Sequence, residues 1–191
     1  MQRSSPSNDI YPNSSFNILI GMEHYRKFVK KAVELGADDA KIIKTDTIVT
    51  GPWVRWKCRY GCDGYNSSLC CPPNTPDYRE TRELVDSYEK ALLAHFTAPL
   101  GTRPDPADIV VTLERDIFLA GHFKAFALGA GPCQLCSECS MDVCRHADKA
   151  RPSMESCGID VFSTARNNGY KIEVLKDYSC RMNRFGLVLI E

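Results

Sequence analysis

The chain has 191 residues, 43% of them apolar, and its 24 basic and 24 acidic side chains cancel to a formal charge of zero. That length suits one ordinary domain, or one with a cysteine-rich insertion, and its core needs no disulfide staples. Interleaved acids and bases exclude the basic stripe of a nucleic-acid binder, and no stretch reaches the roughly 18 consecutive apolar residues of a membrane-spanning helix.

The first segment, MQRSSPSNDIYPNSSFN, lacks the apolar centre and small-residue cleavage site of a secretion signal. Rich in Ser, Asn and Pro, residues 1–20 read as a disordered leader, with one cysteine-rich metal-binding domain over 21–191. The location expected is cytoplasmic, a reducing compartment in which the ten cysteines should not pair as disulfides.

Tyr25, Phe28, Val29, Ala32, Val33 and Leu35 recur at helical spacing, and Gly36 is placed to end that helix. AKIIKTDTIV follows as a strand. KCRYGCDGYNSSLCCPP, full of Gly, Asn, Ser and Pro, reads as a loop. PDYRETRELVDSYE is a helix opening at Thr75 or Asp77, and KALLAHFTA a second strand. PADIVVTLERDIFLAGHFKAFALGAG reads as one long helix with Ile109, Leu113, Ile117, Ala120 and Phe123 or Lys124 on a face. SMESCGIDVFSTARNNGY reads as a helix capped by Ser153 and stopped by Gly169. YKIEVL and RFGLVLIE close the chain as two strands of a hairpin. The fold class expected is α/β (α+β): a single mixed sheet of about four strands with packed helices and two cysteine-rich loops.

The cysteines carry the chemistry. One group is Cys58, Cys62, Cys70 and Cys71, in the pattern C-x3-C-x7-C-C-P-P. The other is Cys133, Cys136, Cys139 and Cys144, spaced C-x2-C-x2-C-x4-C within GPCQLCSECSMDVC. Structural zinc sites usually take a pair, a long spacer and another pair. Two consecutive C-x2-C steps instead wrap a tight loop around a bulky object, as in bacterial ferredoxins, whose fourth cysteine follows after three residues and precedes a proline. The second group departs from that pattern, since its last gap is four and Arg145 follows Cys144. A Cys-Pro step is found in the first group, at Cys71-Pro72.

Cys71, stiffened by the prolines after it, is the expected ligand of the tandem pair. Cys157 reads as a small buried thiol, as does one of the tandem Cys70 and Cys71, with Cys70 kept among the candidate metal ligands. Cys180, in YSCRMNR, is a candidate fourth ligand for the first group, and His146 a weaker one. Arg145, Lys149 and Arg151 after the second group, and Arg181 and Arg184 beside Cys180, are candidate cations near an anionic cluster.

The stretches WKCRYGCDGYNSSLCCPPNTP, GHFKAFALGAGPCQLCSEC and CRHADKARPSMESCGIDVFSTARNNGY together resemble the DUF2284 family, small predicted metal-binding proteins found mainly in anaerobic bacteria and archaea. The likeness runs from about Met22 to the end of the chain. It implies a metal-binding role for Cys58, Cys62 and Cys71 in the first motif and for Cys133, Cys136, Cys139 and Cys144 in the second, with Cys70 as an extra. It brings no established activity.

The function expected is that of an iron–sulfur protein with one or two [4Fe–4S] clusters, serving electron transfer or acting as an accessory to a redox partner protein. An enzyme with an open iron on a three-cysteine cluster (desulfidase- or reductase-like) is one alternative. A zinc-stabilised interaction module is another. Neither nucleic acid nor membrane is expected as a partner.

Overall fold

The structure of the protein, a computed structural model, describes residues 14–97, 104–177 and 182–191. Helix α1 (Ser14–Leu35) begins inside the stretch read as a leader, whose first 13 residues lie outside the described ones. Tyr25, Phe28 and Ala32 of α1 are buried, whereas Val33, expected on the same face, is largely exposed. The helix ends in a Schellman turn, with Ala37 N–H donating to Ala32 O and Gly36 N–H to Val33 O, both at 3.0 Å. Gly36 takes a φ of +116°, which only glycine adopts without cost.

Strand β1 (Asp39–Lys44) leads through a short 3-10 turn to helix α2 (Pro52–Gly61), which starts on the proline. Cys58 therefore sits on a helix and not in the loop expected there: Pro52 is pre-set for a first helical position, and nothing breaks the run before Gly61. Helix α3 (Tyr78–Asp86) opens at Asp77, one of the two expected caps, through a capping box with Glu80. Strand β2 (Lys90–Phe96) and helix α4 (Pro106–Leu119) follow.

Helix α4 is shorter than its sequence suggested. Gly121 turns the chain with a φ of +106°, Phe123 is left exposed, and Phe126–Leu128 becomes strand β3. A helix expected over 153–169 is divided in the same way. Ser153 Oγ only accepts from Ser156 N–H in a 3-10 turn at Glu155–Cys157, whose N-cap is Met154, and Asp160 then caps helix α5 (Val161–Asn167), accepting from Ser163 N–H. YKIEVL forms no strand. Its expected partner, β4 (Arg184–Leu189), instead enters between β2 and β3.

The sheet order is β1-β2-β4-β3, antiparallel throughout where a mixed sheet was expected, and the α+β class stands. Alternate residues of the central strands serve opposite faces. Leu92, Ala94 and Val188 pack under α1 and α4 with Phe28, Ile109 and Leu113. Leu93, Leu187 and Leu189 pack against Val85, Met154, Cys157 and Ile159 on the other side. Helix α4 lies close on the sheet at Gly186, where an added Cβ would meet Val110 Cγ1 at 2.6 Å. Among the described residues no helix is long and apolar enough to cross a membrane.

Candidate metal centre

The first cysteine loop hangs between α2 and α3. Helix α2 presents Cys58 from its second turn, and Cys62 caps its end. The chain then knots. Asn66 N–H donates to Pro72 O at 2.7 Å, Cys71 N–H to Ser68 O at 3.0 Å, and Asn74 N–H to Cys71 O at 3.0 Å. Cys62 Sγ and Cys71 Sγ flank Gly64, at 3.4 and 4.0 Å from where its Cβ would stand. Burial pushes the Cys58 thiol above its usual range, and the neighbouring Cys62 and Cys71 push it the same way. Cys58, Cys62 and Cys71 thus form one neighbourhood.

Arg55, one turn before Cys58, fixes this loop to the rest of the molecule. Its guanidinium donates to Thr75 Oγ1 at 2.6 Å and to Ser156 O at 2.6 Å, and Thr75 Oγ1 donates to Ser156 O at 2.7 Å. Its field also favours the Cys58 thiolate. Sequence reasoning missed this arginine. The only trace was its position one turn ahead of the first cysteine.

Cys70 is buried, and its N–H donates to Ser68 Oγ at 3.2 Å. Burial first, then Cys133, raises its pKa.

The second loop leaves β3 and returns at Ser153, which bridges Gly129. Cys133, Cys136, Cys139 and Cys144 are all half-buried in it. Arg151 clamps the loop to α4 through a two-pronged pair with Glu114, Nε to Oε2 and Nη2 to Oε1, each 2.7 Å. Glu114 in turn accepts from Ala127 N–H at 2.8 Å, so one carboxylate joins helix, strand and loop. Arg145 donates to Glu138 O at 2.6 Å and braces the loop internally. Of the expected cations, Arg151 also attracts the Cys70 thiolate. Arg184 is buried in β4, and Arg181 lies outside the described residues.

The other candidates divide clearly. Cys157 is 2% exposed within the core, where burial pushes its thiol to about 11, as a small apolar residue should be. Cys180 lies outside the described residues. His24 and His122 sit far from the thiols in sequence and meet each other, Nε2 to Nε2 at 2.8 Å.

Among the described residues no three His, Cys, Asp or Glu side chains converge tightly enough to hold a single metal ion. The donors in both loops are nonetheless soft sulfur, which suits zinc or an iron–sulfur cluster and not magnesium or calcium. A concavity of about 1010 Å³ between α4 and the second loop has no thiol in its wall. A smaller one of about 340 Å³ has Cys58 and Cys62 in its wall, together with Trp53, Lys57, Glu155 and Phe162.

A family model described as predicted metal-binding protein (DUF2284) matches residues 41–190, and the chain belongs to this family. The match begins at Lys41, so α1 lies outside it. Among curated proteins and among solved structures nothing matches.

Proposed function

We propose that the metal this family member binds is iron, in [4Fe–4S] clusters at the two cysteine loops, and that the protein serves electron transfer as an accessory to a redox partner protein. The observation that carries the reading is the two consecutive C-x2-C steps of the second loop, beside a first loop that brings Cys62 Sγ and Cys71 Sγ both close to Gly64. Zinc sites are usually built from separated pairs and commonly include histidine, and no histidine joins the thiols here among the contacts described.

Cys58, Cys62 and Cys71 would hold one cluster, and thiols of the second loop the other. Cysteine ligates metal as the thiolate, so loading releases protons and tightens as pH rises. When bound, such clusters supply one-electron transfer or, on an iron lacking a fourth cysteine, a Lewis-acid site.

A second reading has its own support. The cavity beside Cys58 and Cys62 would give a small molecule access to a three-cysteine cluster, with Glu155 and Lys57 at hand to orient it. That arrangement would be an enzyme's.

Anaerobic purification with assay of iron, acid-labile sulfide and the visible spectrum tests the first reading. Iron and sulfide in equal amounts are expected, and zinc without sulfide would overturn it. Electron paramagnetic resonance after brief oxidation separates the two readings. A three-iron signal in the native protein favours the open site. A signal seen only in Cys180→Ala shows that Cys180 closes the cube and leaves the carrier.

A further inference from the structure

Helix α2 carries three cations, Arg55, Lys57 and Arg59, and no carboxylate. It also carries both tryptophans of the chain. Trp53, Trp56 and Tyr60 recur at helical spacing on a face left in solvent, with Trp56 64% and Tyr60 68% exposed. Rings and cations interlock along it. Lys57 Nζ stands 5.2 Å from the centre of the Trp53 ring, the Arg59 guanidinium 5.4 Å from that of Tyr60, and the Trp56 and Tyr60 rings meet at 5.4 Å. Large aromatic side chains held in solvent as one patch mark a binding surface, and Trp, Tyr and Arg carry most of the energy at such surfaces.

Beside this face lies a concavity of about 290 Å³, walled by Arg55, Trp56, Arg59, Tyr65, Pro72 and Pro73. Arg55 is fixed before anything binds. All its described bonds leave from Nη1, to Thr75, Pro76 and Ser156. Among the described residues its Nε and Nη2 are neither bonded nor sealed from solvent, so a pre-set pair of donors faces an incoming carboxylate. Arg59, one turn on, adds a second guanidinium. No carboxylate lines the wall, and among the described residues none forms an ion pair with Arg59.

We infer that the outer face of α2 and of the first cysteine loop is the docking surface for an acidic protein partner, one of whose carboxylates enters the concavity at Arg55 and Arg59 while its flank covers Trp56 and Tyr60. This rests on the reading above in taking that partner to be the redox protein. A small anion would leave Trp53 and Tyr60 bare, since neither lines the concavity. A nucleic acid needs a longer basic track than three cations on a chain of zero net charge. A partner seated here lies against the helix that carries Cys58 and ends at Cys62, and against Pro72, next to Cys71.

A fluorescein-labelled octaglutamate peptide is the probe, titrated by anisotropy into the anaerobically purified full chain. Tryptophan emission is a second readout, because both tryptophans lie on α2. Saturable binding that weakens with salt and shifts the emission is expected. Arg59→Gln should weaken it about fivefold and flatten its salt dependence, and Trp56→Ala should weaken it about tenfold. Both positions are exposed, so neither change threatens the fold. Lys30→Gln, at an exposed cation of α1, should change nothing. Unchanged affinity in Arg59→Gln or Trp56→Ala overturns the inference. So does tighter binding of octathymidylate, which would favour nucleic acid, or an equal emission shift from free glutamate at the same carboxylate concentration, which would favour a small anion. A protein that takes up no iron on reconstitution, yet binds octaglutamate in this pattern, fails the functional reading and leaves the docking surface standing.

Discussion

Every residue of β4 is buried, whereas no residue from 131 to 150 is. The strand is held by apolar burial on both faces. The second cysteine loop has no interior of its own and leans on a few polar clasps, chiefly Arg151–Glu114 and Arg145–Glu138. A loop of that length without a core is short of the burial that offsets chain entropy. The contrast divides the molecule into a sheet-and-helix body with an apolar core and a cysteine loop held by polar clasps.

The largest test strikes the body. Leu113→Ala in α4, at a fully buried position, should cost about 3 kcal/mol by denaturant unfolding, equally with and without chelator. A cost that disappeared on chelation would break the division.

Stripping the metal should do the reverse. Hydrogen exchange over 58–74 and 131–150 should quicken by about tenfold or more, while the amides of β2 and β4 hold their protection. Loss of protection in β4 would tie the body to the metal.

Arg151→Ala should cost about 2 kcal/mol, because it leaves the largely buried Glu114 carboxylate without its partner. The earliest exchange should appear in the second loop, and a first loss in α1 would contradict this clasp's role.

Gly64→Ala sharpens the contrast within the first loop. Its methyl would stand 3.4 Å from Cys62 Sγ and 4.0 Å from Cys71 Sγ, so metal affinity should fall on the order of tenfold with the body's stability unmoved. Full metal retention would show that the thiols close elsewhere.

The smallest effect is of pH on the body. Burial, then Lys27 and His122, holds His24 below its ordinary value. The unfolded chain therefore takes up the His24 proton first, and stability falls as pH drops through about 6.5. Glu191, held low by Lys90 and Tyr25, adds stability above the ordinary carboxyl pKa that is lost only as pH falls through its lower folded value. The denaturation midpoint should thus drop slightly between about pH 7.5 and 5.5, and less so in His24→Gln. Equal drops in both proteins would remove His24 from the account.

The body was largely legible in the sequence because its signals are local. The helical spacing of α1, the glycine after it, the capping box at Asp77 and the apolar runs of β2 and β4 each declare themselves within a few residues. What failed was non-local. Phe126–Leu128 reads as helix continuation until Gly121 turns the chain and β4 offers an edge. YKIEVL has a strand's composition, but β2 and β3 already occupy both sides of β4.

In the candidate site, the grouping of Cys58, Cys62 and Cys71 followed from spacing and resemblance; the structure sets Cys62 Sγ and Cys71 Sγ near Gly64 and puts Cys58 and Cys62 in the wall of one cavity. The anchoring of the first loop by Arg55 had no local signature, because Thr75 and Ser156 lie 20 and 101 positions further along the chain.

Strand β4 follows every other strand in the chain yet lies between β2 and β3. On a ribosome, β1 and β2 can pair soon after they emerge, while β3 has no neighbour until β4 is made. Both cysteine loops are synthesised before that moment. At about 5–20 residues per second the interval from β3 to β4 is several seconds. Through it the second loop grows from a strand that has no neighbour in the sheet, and that strand is secured only when the last one slots in beside it.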